Sequence, residues 1–293
     1  MKYAMLAVLA LAACATTPAQ SQCLPAAGFS RAELDALKAA EWALPDDGRR
    51  NALARGLTSC VNDPDPAVRD GIAFEALSHW LRGRQLSNET MLWLADDLER
   101  RLTAPEGPGF ERPFAALVLS EVARADRIEA FMSPTRRARL LDASIAYFTG
   151  VHDYRGFDER EGWRHGVAHG ADLMLQLALN PAFERAELTR IRDALATQLA
   201  PEGHFYTYGE SERLARPVVF LAQRGVFTAE EWQAWLVRET AVGADAFTSQ
   251  RGLARRHNMM AFLNMLYMQA RLSESAADDA LLPGLEAALR ALP

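Results

Sequence analysis

Two histidines and an aspartate are spaced so that one helix would present them on the same side. Residues 162–172 read GWRHGVAHGAD, which places His169 four residues after His165 and Asp172 three residues later. At about 100° per residue, the three side chains would fall within about 60° of one another. Imidazole and carboxylate groups in such an arrangement can bind a metal ion or transfer protons. This stretch is therefore the centre of the candidate site.

A divalent metal such as zinc is one cofactor that this spacing would suit. His165 and His169 could each offer a ring nitrogen, as the two histidines of the H-E-x-x-H motif do. Asp172 would be a third ligand or would orient one imidazole. A catalytic zinc needs three protein ligands and an open position. Candidates for a further ligand from elsewhere in the chain are Asp153, His204, Glu210 and His257. No glutamate follows His165 to act as a base, so the motif is incomplete.

The first residues have the features of an export signal. Lys2 gives a positive start, and residues 4–13 form an apolar run that is too short to span a bilayer. The run ends in Leu-Ala-Ala-Cys at residues 11–14, which resembles a bacterial lipobox and implies cleavage before Cys14 and lipidation of its thiol. An ordinary signal peptide cut nearby is the alternative. We expect an exported protein anchored in the envelope through Cys14 and facing the periplasm, and Ala15 favours the outer membrane.

These features predict how the chain is divided. Residues 1–13 are a signal peptide, residues 14–28 are a tether, and residues 29–293 are one helical domain. Cys23 and Cys60 remain as an even pair in an oxidising compartment, which predicts a disulfide, with two separate buried thiols as the alternative. The 293 residues carry a net charge of −6 and no basic stripe, so we expect no nucleic-acid partner.

Helix starts recur along the chain in two interleaved series. One begins near residues 66, 113, 162, 209 and 251, and the other near residues 87, 133, 184, 228 and 276. This period of roughly 40–50 residues is typical of HEAT-like and armadillo-like repeats. No alternating β pattern of useful length is present. We therefore predict an all-α fold, a stack of antiparallel helix pairs forming an α-solenoid or α/α superhelix, with one helix over about 161–179.

Several spaced blocks resemble a bacterial family known only as a domain of unknown function. They are DPDPAVRDGIA at 63–73, RPFAAL at 112–117, DYRGF at 153–157, GWRHGVAHGAD at 162–172 and ESERLA at 210–215. The resemblance carries over no activity, but it implies a set of matching motif positions. These are Asp153, Arg155, Trp163, His165, His169, Asp172, Glu210, Glu212 and Arg213. This chain departs from the family at Arg164, where a small residue is usual, and at His152, where an acid is frequent.

Three hypotheses for these residues stay open. Helices at equivalent positions of a solenoid line the same surface, so polar residues near the starts of the first series could meet in one groove. Our lead hypothesis is a binding module that holds a small ligand, a peptide or an envelope protein in a groove around His165, His169 and Asp172. The alternative is a metal-dependent envelope hydrolase using the same residues. The third is a structural ion network that fixes the register of the helix pairs.

Overall fold

The computed structural model describes Ser21 and residues 23–293. The predicted signal peptide, the lipidation site Cys14 and most of the predicted tether lie outside the described residues. Within the described part, no helix combines the length and the apolar character needed to cross a membrane.

The described chain is mainly helical, which confirms the predicted all-α fold class. The α-helices are α1 (Arg31–Ala39), α2 (Asp47–Leu57), α3 (Pro66–Val68), α4 (Glu75–Arg82), α5 (Asn88–Arg101), α6 (Glu111–Ile128), α7 (Pro134–Thr149), α8 (Gly166–Ala178), α9 (Arg185–Ala196), α10 (Glu210–Gln223), α11 (Ala229–Glu239), α12 (Gln250–Leu272) and α13 (Leu282–Ala291). 3₁₀-helices cover Thr58–Asn62 and Ala276–Leu281, and a π-helix covers Arg69–Phe74. Strands β1 (Phe157–Asp158) and β2 (Gly162–Trp163) form a small antiparallel hairpin.

The helices pack as two layers that match the two series of predicted helix starts. In the first layer α4, α6, α8, α10 and α12 each pack against the next. In the second layer α2, α5 and α7 pack in turn, as do α7 with α9 and α11 with α13. One apolar core contains residues of both layers, for example Leu119 of α6, Leu141 of α7 and Leu173 of α8. The first layer thus brings together helices that are far apart in sequence.

Local side-chain caps explain why the helix starts are readable from sequence. The Ser30 hydroxyl accepts from the Glu33 amide, and the Glu33 carboxylate accepts from the Ser30 amide at 2.8 Å. Thr228 and Glu231 make the same reciprocal pair at α11, and Asp65 caps α3. Each such cap stabilises its helix by about 1 kcal/mol because it satisfies backbone N–H groups that lack a helical partner.

The predicted helix over 161–179 is wrong at its start. A hairpin of two two-residue strands occupies residues 157–163, and α8 begins only at Gly166. Asp158 Oδ1 accepts from the amides of Arg160 and Glu161, at 2.8 and 2.9 Å, which stabilises the hairpin turn. His165 precedes α8 in the left-handed region, with φ 58° and ψ 40°. It therefore does not share a helical stripe with His169 and Asp172.

The predicted disulfide between Cys23 and Cys60 is present, with the two Cα atoms 5.2 Å apart. It attaches the segment before α1 to the 3₁₀-helix that follows α2. Ala26 of this segment is buried and exchanges backbone hydrogen bonds with Phe29 at 3.1 and 2.9 Å. Residues 23–28, expected as the end of the tether, are therefore held against the helical stack.

Replacing both cysteines by serine should lower the free energy of unfolding. The bond closes a loop of 37 residues in sequence separation, and chain entropy then predicts a loss of about 4 kcal/mol. Chemical denaturation of Cys23→Ser/Cys60→Ser against wild type would measure it. A reductant should destabilise the wild type and leave the double variant unchanged. Equal stability of the two oxidised proteins would contradict the prediction.

Candidate functional site

Arg69 is fully buried at the start of the π-helix and connects three parts of the chain. Its Nη1 donates to the Asp63 carbonyl at 3.0 Å, and its Nη2 donates to the Glu161 carbonyl at 2.7 Å. Its guanidinium lies 4.0 Å from the ring centre of Phe110 and 4.9 Å from that of Phe114. Arg69 thereby fixes the hairpin turn, the start of α6 and the loop before α3 relative to one another.

Arg164 attaches the second strand to the same aromatic ring. Its guanidinium covers Phe110 at 4.4 Å, its Nε donates to the Pro108 carbonyl at 2.8 Å, and its Nη2 donates to Glu161 at 2.7 Å. Phe110 therefore contacts two guanidinium groups, an arrangement favoured by the negative face of an aromatic ring. These contacts determine where the two residues beside Arg164 lie.

Trp163 and His165 leave the anchored hairpin side by side. Their rings stack with centroids 4.6 Å apart and planes 18° apart. His165 Nε2 is 3.0 Å from the carbonyl oxygen of Tyr208, which can only accept, so the neutral ring carries its proton on Nε2. Its Nδ1 is then an acceptor. Burial, reinforced by the charge of Arg213, lowers the pKa of His165 from 6.5 to about 4, although the Tyr208 carbonyl acts in the opposite direction.

His169 lies on α8 and is buried beside His165. The two imidazole centroids are 5.7 Å apart. The His169 ring also packs edge-to-face with the Phe114 ring, and the centroids of these two rings are 5.2 Å apart. Burial holds the pKa of His169 well below 6.5, and the nearby His165 and Arg213 lower it further. The Pro113 carbonyl opposes this shift. His169 Nδ1 is buried with no hydrogen-bond partner among the described residues.

Asp172 is paired with Arg213 and not with either histidine. Arg213 Nε donates to Asp172 Oδ1 at 3.0 Å, and Nη2 donates to Oδ2, so the pair is bidentate and joins α8 to α10. Burial raises the pKa of Asp172, Arg213 opposes the shift, and Glu121 reinforces it. A second pair joins α4 to α6, where Arg82 Nε donates to Glu121 at 2.9 Å.

These side chains line a cavity of about 580 Å³ against the first layer. The predicted residues that line it are Trp163, His165, His169, Asp172 and Arg213. Other polar residues that line it are Asp70, Arg82, Ser120, Glu121, Gln176 and Arg216. Phe74, Leu117 and Leu175 supply the apolar part of the wall. This volume is within the range of pockets that bind small molecules.

Four of the predicted site residues lie elsewhere. Asp153 and Arg155 form an ion pair with each other, in which Arg155 Nε donates to Asp153 Oδ1 at 2.8 Å. Glu210 is buried and accepts from the Tyr208 amide at 2.9 Å, and Glu212 is exposed to solvent. None of these four residues lines the cavity.

The proposed zinc ligands do not form a metal-binding group within the described residues. Among the described residues, no group of three or more His, Cys, Asp or Glu side chains is arranged to hold a metal ion. The carboxylate of Asp172 is engaged by Arg213, and His165 Nε2 by a carbonyl. Of the candidate further ligands, His204 stacks on Tyr154, and His257 Nε2 is 3.2 Å from the Tyr206 carbonyl.

Several residues that line the cavity were not among those we predicted, although their spacing in the sequence is a recognisable pattern. On each helix the polar residues follow helical spacing among apolar neighbours. The cavity-lining positions are 117, 120 and 121 on α6, where Leu117 is the apolar member, 169, 172 and 176 on α8, and 213 and 216 on α10. A carboxylate such as Glu121, within the largely apolar run at 113–123, is unusual unless it has a partner. No local signal identifies the partner, because Arg82 lies 39 residues earlier in the chain.

The fold and the cavity define an all-α helical-repeat protein with a polar pocket against one helix layer. The chain belongs to the family described as protein of unknown function (DUF2785), whose model matches residues 103–268. This match covers the hairpin, α6 to α11 and most of α12, whereas Arg69 and Asp70 precede it. Comparison with curated proteins and with solved structures finds no significant match to this chain.

Replacing Arg69 should loosen the hairpin and destabilise the fold. Arg69→Met leaves the Asp70 carboxylate and two carbonyls without their cation, which should lower the free energy of unfolding by about 3–5 kcal/mol. Arg69→Lys keeps the charge but not the planar guanidinium group, so its free energy of unfolding should lie between those of wild type and Arg69→Met. Chemical denaturation would measure both, with Arg271→Met on the exposed surface as control. A loss below about 1 kcal/mol for Arg69→Met would contradict the role assigned to it.

Both cavity histidines should remain neutral at pH 5.5. Because their folded pKa values are lowered, the unfolded chain binds more protons than the folded chain below about pH 6.5. Their contribution to stability is therefore lost as the pH falls from about 6.5 toward 4, the folded pKa of His165. Imidazole ¹⁵N NMR titration would test this, with His165→Asn and His169→Gln assigning the signals. Protonation of either folded ring with a midpoint near 6.5 would contradict it.

Proposed function

We propose that this protein is a binding module and that its ligand occupies the cavity lined by His165, His169, Asp172 and Arg213. The proposal rests on a cavity of about 580 Å³ in which histidine, carboxylate, guanidinium, amide and hydroxyl groups from five helical segments converge. Pockets that bind small molecules combine a few convergent polar groups with apolar walls in this way.

An unsatisfied polar atom in the wall supports the proposal. His169 Nδ1 is buried without a hydrogen-bond partner in the described chain. A buried polar atom without a partner costs free energy, and a polar ligand or ordered water in the cavity would offset this cost. The zinc-hydrolase hypothesis has no comparable support, because Arg213 already engages Asp172.

We also propose that the protein is exported and lipid-anchored through Cys14, facing the periplasm, with the outer membrane favoured. The signal-like residues 1–14 carry this proposal. The Cys23–Cys60 disulfide supports it, because such bonds persist in oxidising compartments and are rare in the cytosol.

A thermal-shift screen of water-soluble metabolites, peptides and sugars would test the binding function. We expect hits whose affinity falls at least about tenfold in Trp163→Ala or Arg216→Ala, two changes on different sides of the cavity wall. Arg216 is exposed and forms no ion pair within residues 23–293, so its loss should leave the fold intact. Arg271→Ala, an exposed arginine outside the cavity, is the matched control. Binding unchanged in both cavity variants would place the ligand elsewhere and overturn the proposal.

A further inference from the structure

The cavity described above adjoins two others of similar size. One of about 590 Å³ is lined by Lys38, Trp42, Glu75 and His79, and it shares Arg82 with the central cavity. The other, of about 530 Å³, is lined by Phe157, Tyr208 and His204. The ring of Trp163, which lines the central cavity, contacts both Phe157 and Tyr208, with centroids 5.0 and 6.0 Å apart.

Arg82 lines both the central cavity and the first neighbour, and Trp163 lines the central cavity and contacts two rings that line the second neighbour. The Arg82 side chain makes a bidentate contact with Glu121 and is more than half exposed. A ligand confined to the central cavity would leave both neighbours unused, whereas a chain-like ligand that passed Arg82 or Trp163 would reach them.

Three aromatic rings are exposed at one boundary. Trp163, Phe157 and Tyr208 expose 36%, 45% and 41% of their surface, although each packs against a neighbouring ring. Packed but exposed rings present flat apolar faces that are fixed in orientation, and such faces bind planar or ring-shaped groups at small entropic cost.

Apart from the exposed Arg216, each charged residue of the central cavity lies beside a residue of opposite charge. Asp172 is held by Arg213, Glu121 by Arg82, and Asp70 lies beside Arg69. An anionic chain would need several free cations, and a cationic chain would need free carboxylates. A neutral chain rich in hydroxyl groups needs neither, because it can hydrogen-bond to the outer atoms of the ion pairs without separating them.

We propose, on the basis of the binding function above, that the ligand is a neutral saccharide chain lying across the three cavities, with a sugar ring against the exposed part of the Trp163 side chain that is not stacked on His165. A peptide fits less well. Peptides bind by adding a strand to a sheet edge or by filling apolar pockets, and the strands within residues 23–293 are two residues long and the central wall is mainly polar.

Isothermal titration with β-linked glucose and N-acetylglucosamine oligomers of one to six units would test the saccharide chain. At least one series should bind more tightly with length, by about tenfold or more between two and five units, as sugars fill successive cavities. The affinity should change less than about twofold between 50 and 500 mM NaCl, because no net charge is paired on binding. Trp163→Ala should weaken binding about tenfold or more, and Trp163→Phe should retain most of it.

Phe247→Ala is the matched control, because Phe247 is an exposed aromatic residue outside the three cavities. Absence of binding by both series overturns the saccharide proposal, as does affinity independent of length or a steep salt dependence. Tighter binding of peptides than of sugars in the thermal-shift screen also overturns it. The binding function itself would survive these results if screen hits still depended on Trp163 or Arg216.

Discussion

The buried guanidinium of Arg69 is the interaction on which the candidate site depends. A cation that is buried away from solvent must be paired and hydrogen-bonded. The Arg69 guanidinium donates to two carbonyls, contacts two aromatic rings and lies beside the Asp70 carboxylate. One of those carbonyls belongs to Glu161, so satisfying the charge also fixes the hairpin. Burial lowers the pKa of Arg69, which Asp70 opposes. A change at residue 69 should therefore reach the other wall of the cavity, 90 residues later in the chain.

The helix layer supplies the rest of the site by placing paired charges on neighbouring helices. Arg82 with Glu121 joins α4 to α6, Arg127 Nε donates to Gln176 between α6 and α8, and Asp172 with Arg213 joins α8 to α10. Pairs of this kind contribute little net stability, because the desolvation of both groups offsets their attraction. They do keep the polar face of each helix directed to the same cavity, and this supports a role in binding.

Sequence predicted the fold more completely than the site. Caps such as Ser30 and Thr228 act locally, so the helix starts and the two layers could be read in advance, as could the pairing of Cys23 with Cys60. The hairpin could not, because its position depends on Arg69 and on the left-handed backbone of His165. Five of the nine predicted site residues line the cavity, while Asp153, Arg155 and Glu210 make hydrogen bonds within the loops beside it and Glu212 is exposed to solvent. Which charges meet was set by tertiary packing.

The central claim is that ligand binding occurs against the first helix layer, beside the hairpin. Hydrogen–deuterium exchange with and without the tightest compound from the screen would test it directly. Slower exchange is expected in peptides covering 157–176 and 210–216, with no change in α7 or α9 of the second layer. Slower exchange confined to α7, α9 or α11, with residues 157–176 unaffected, would contradict the account.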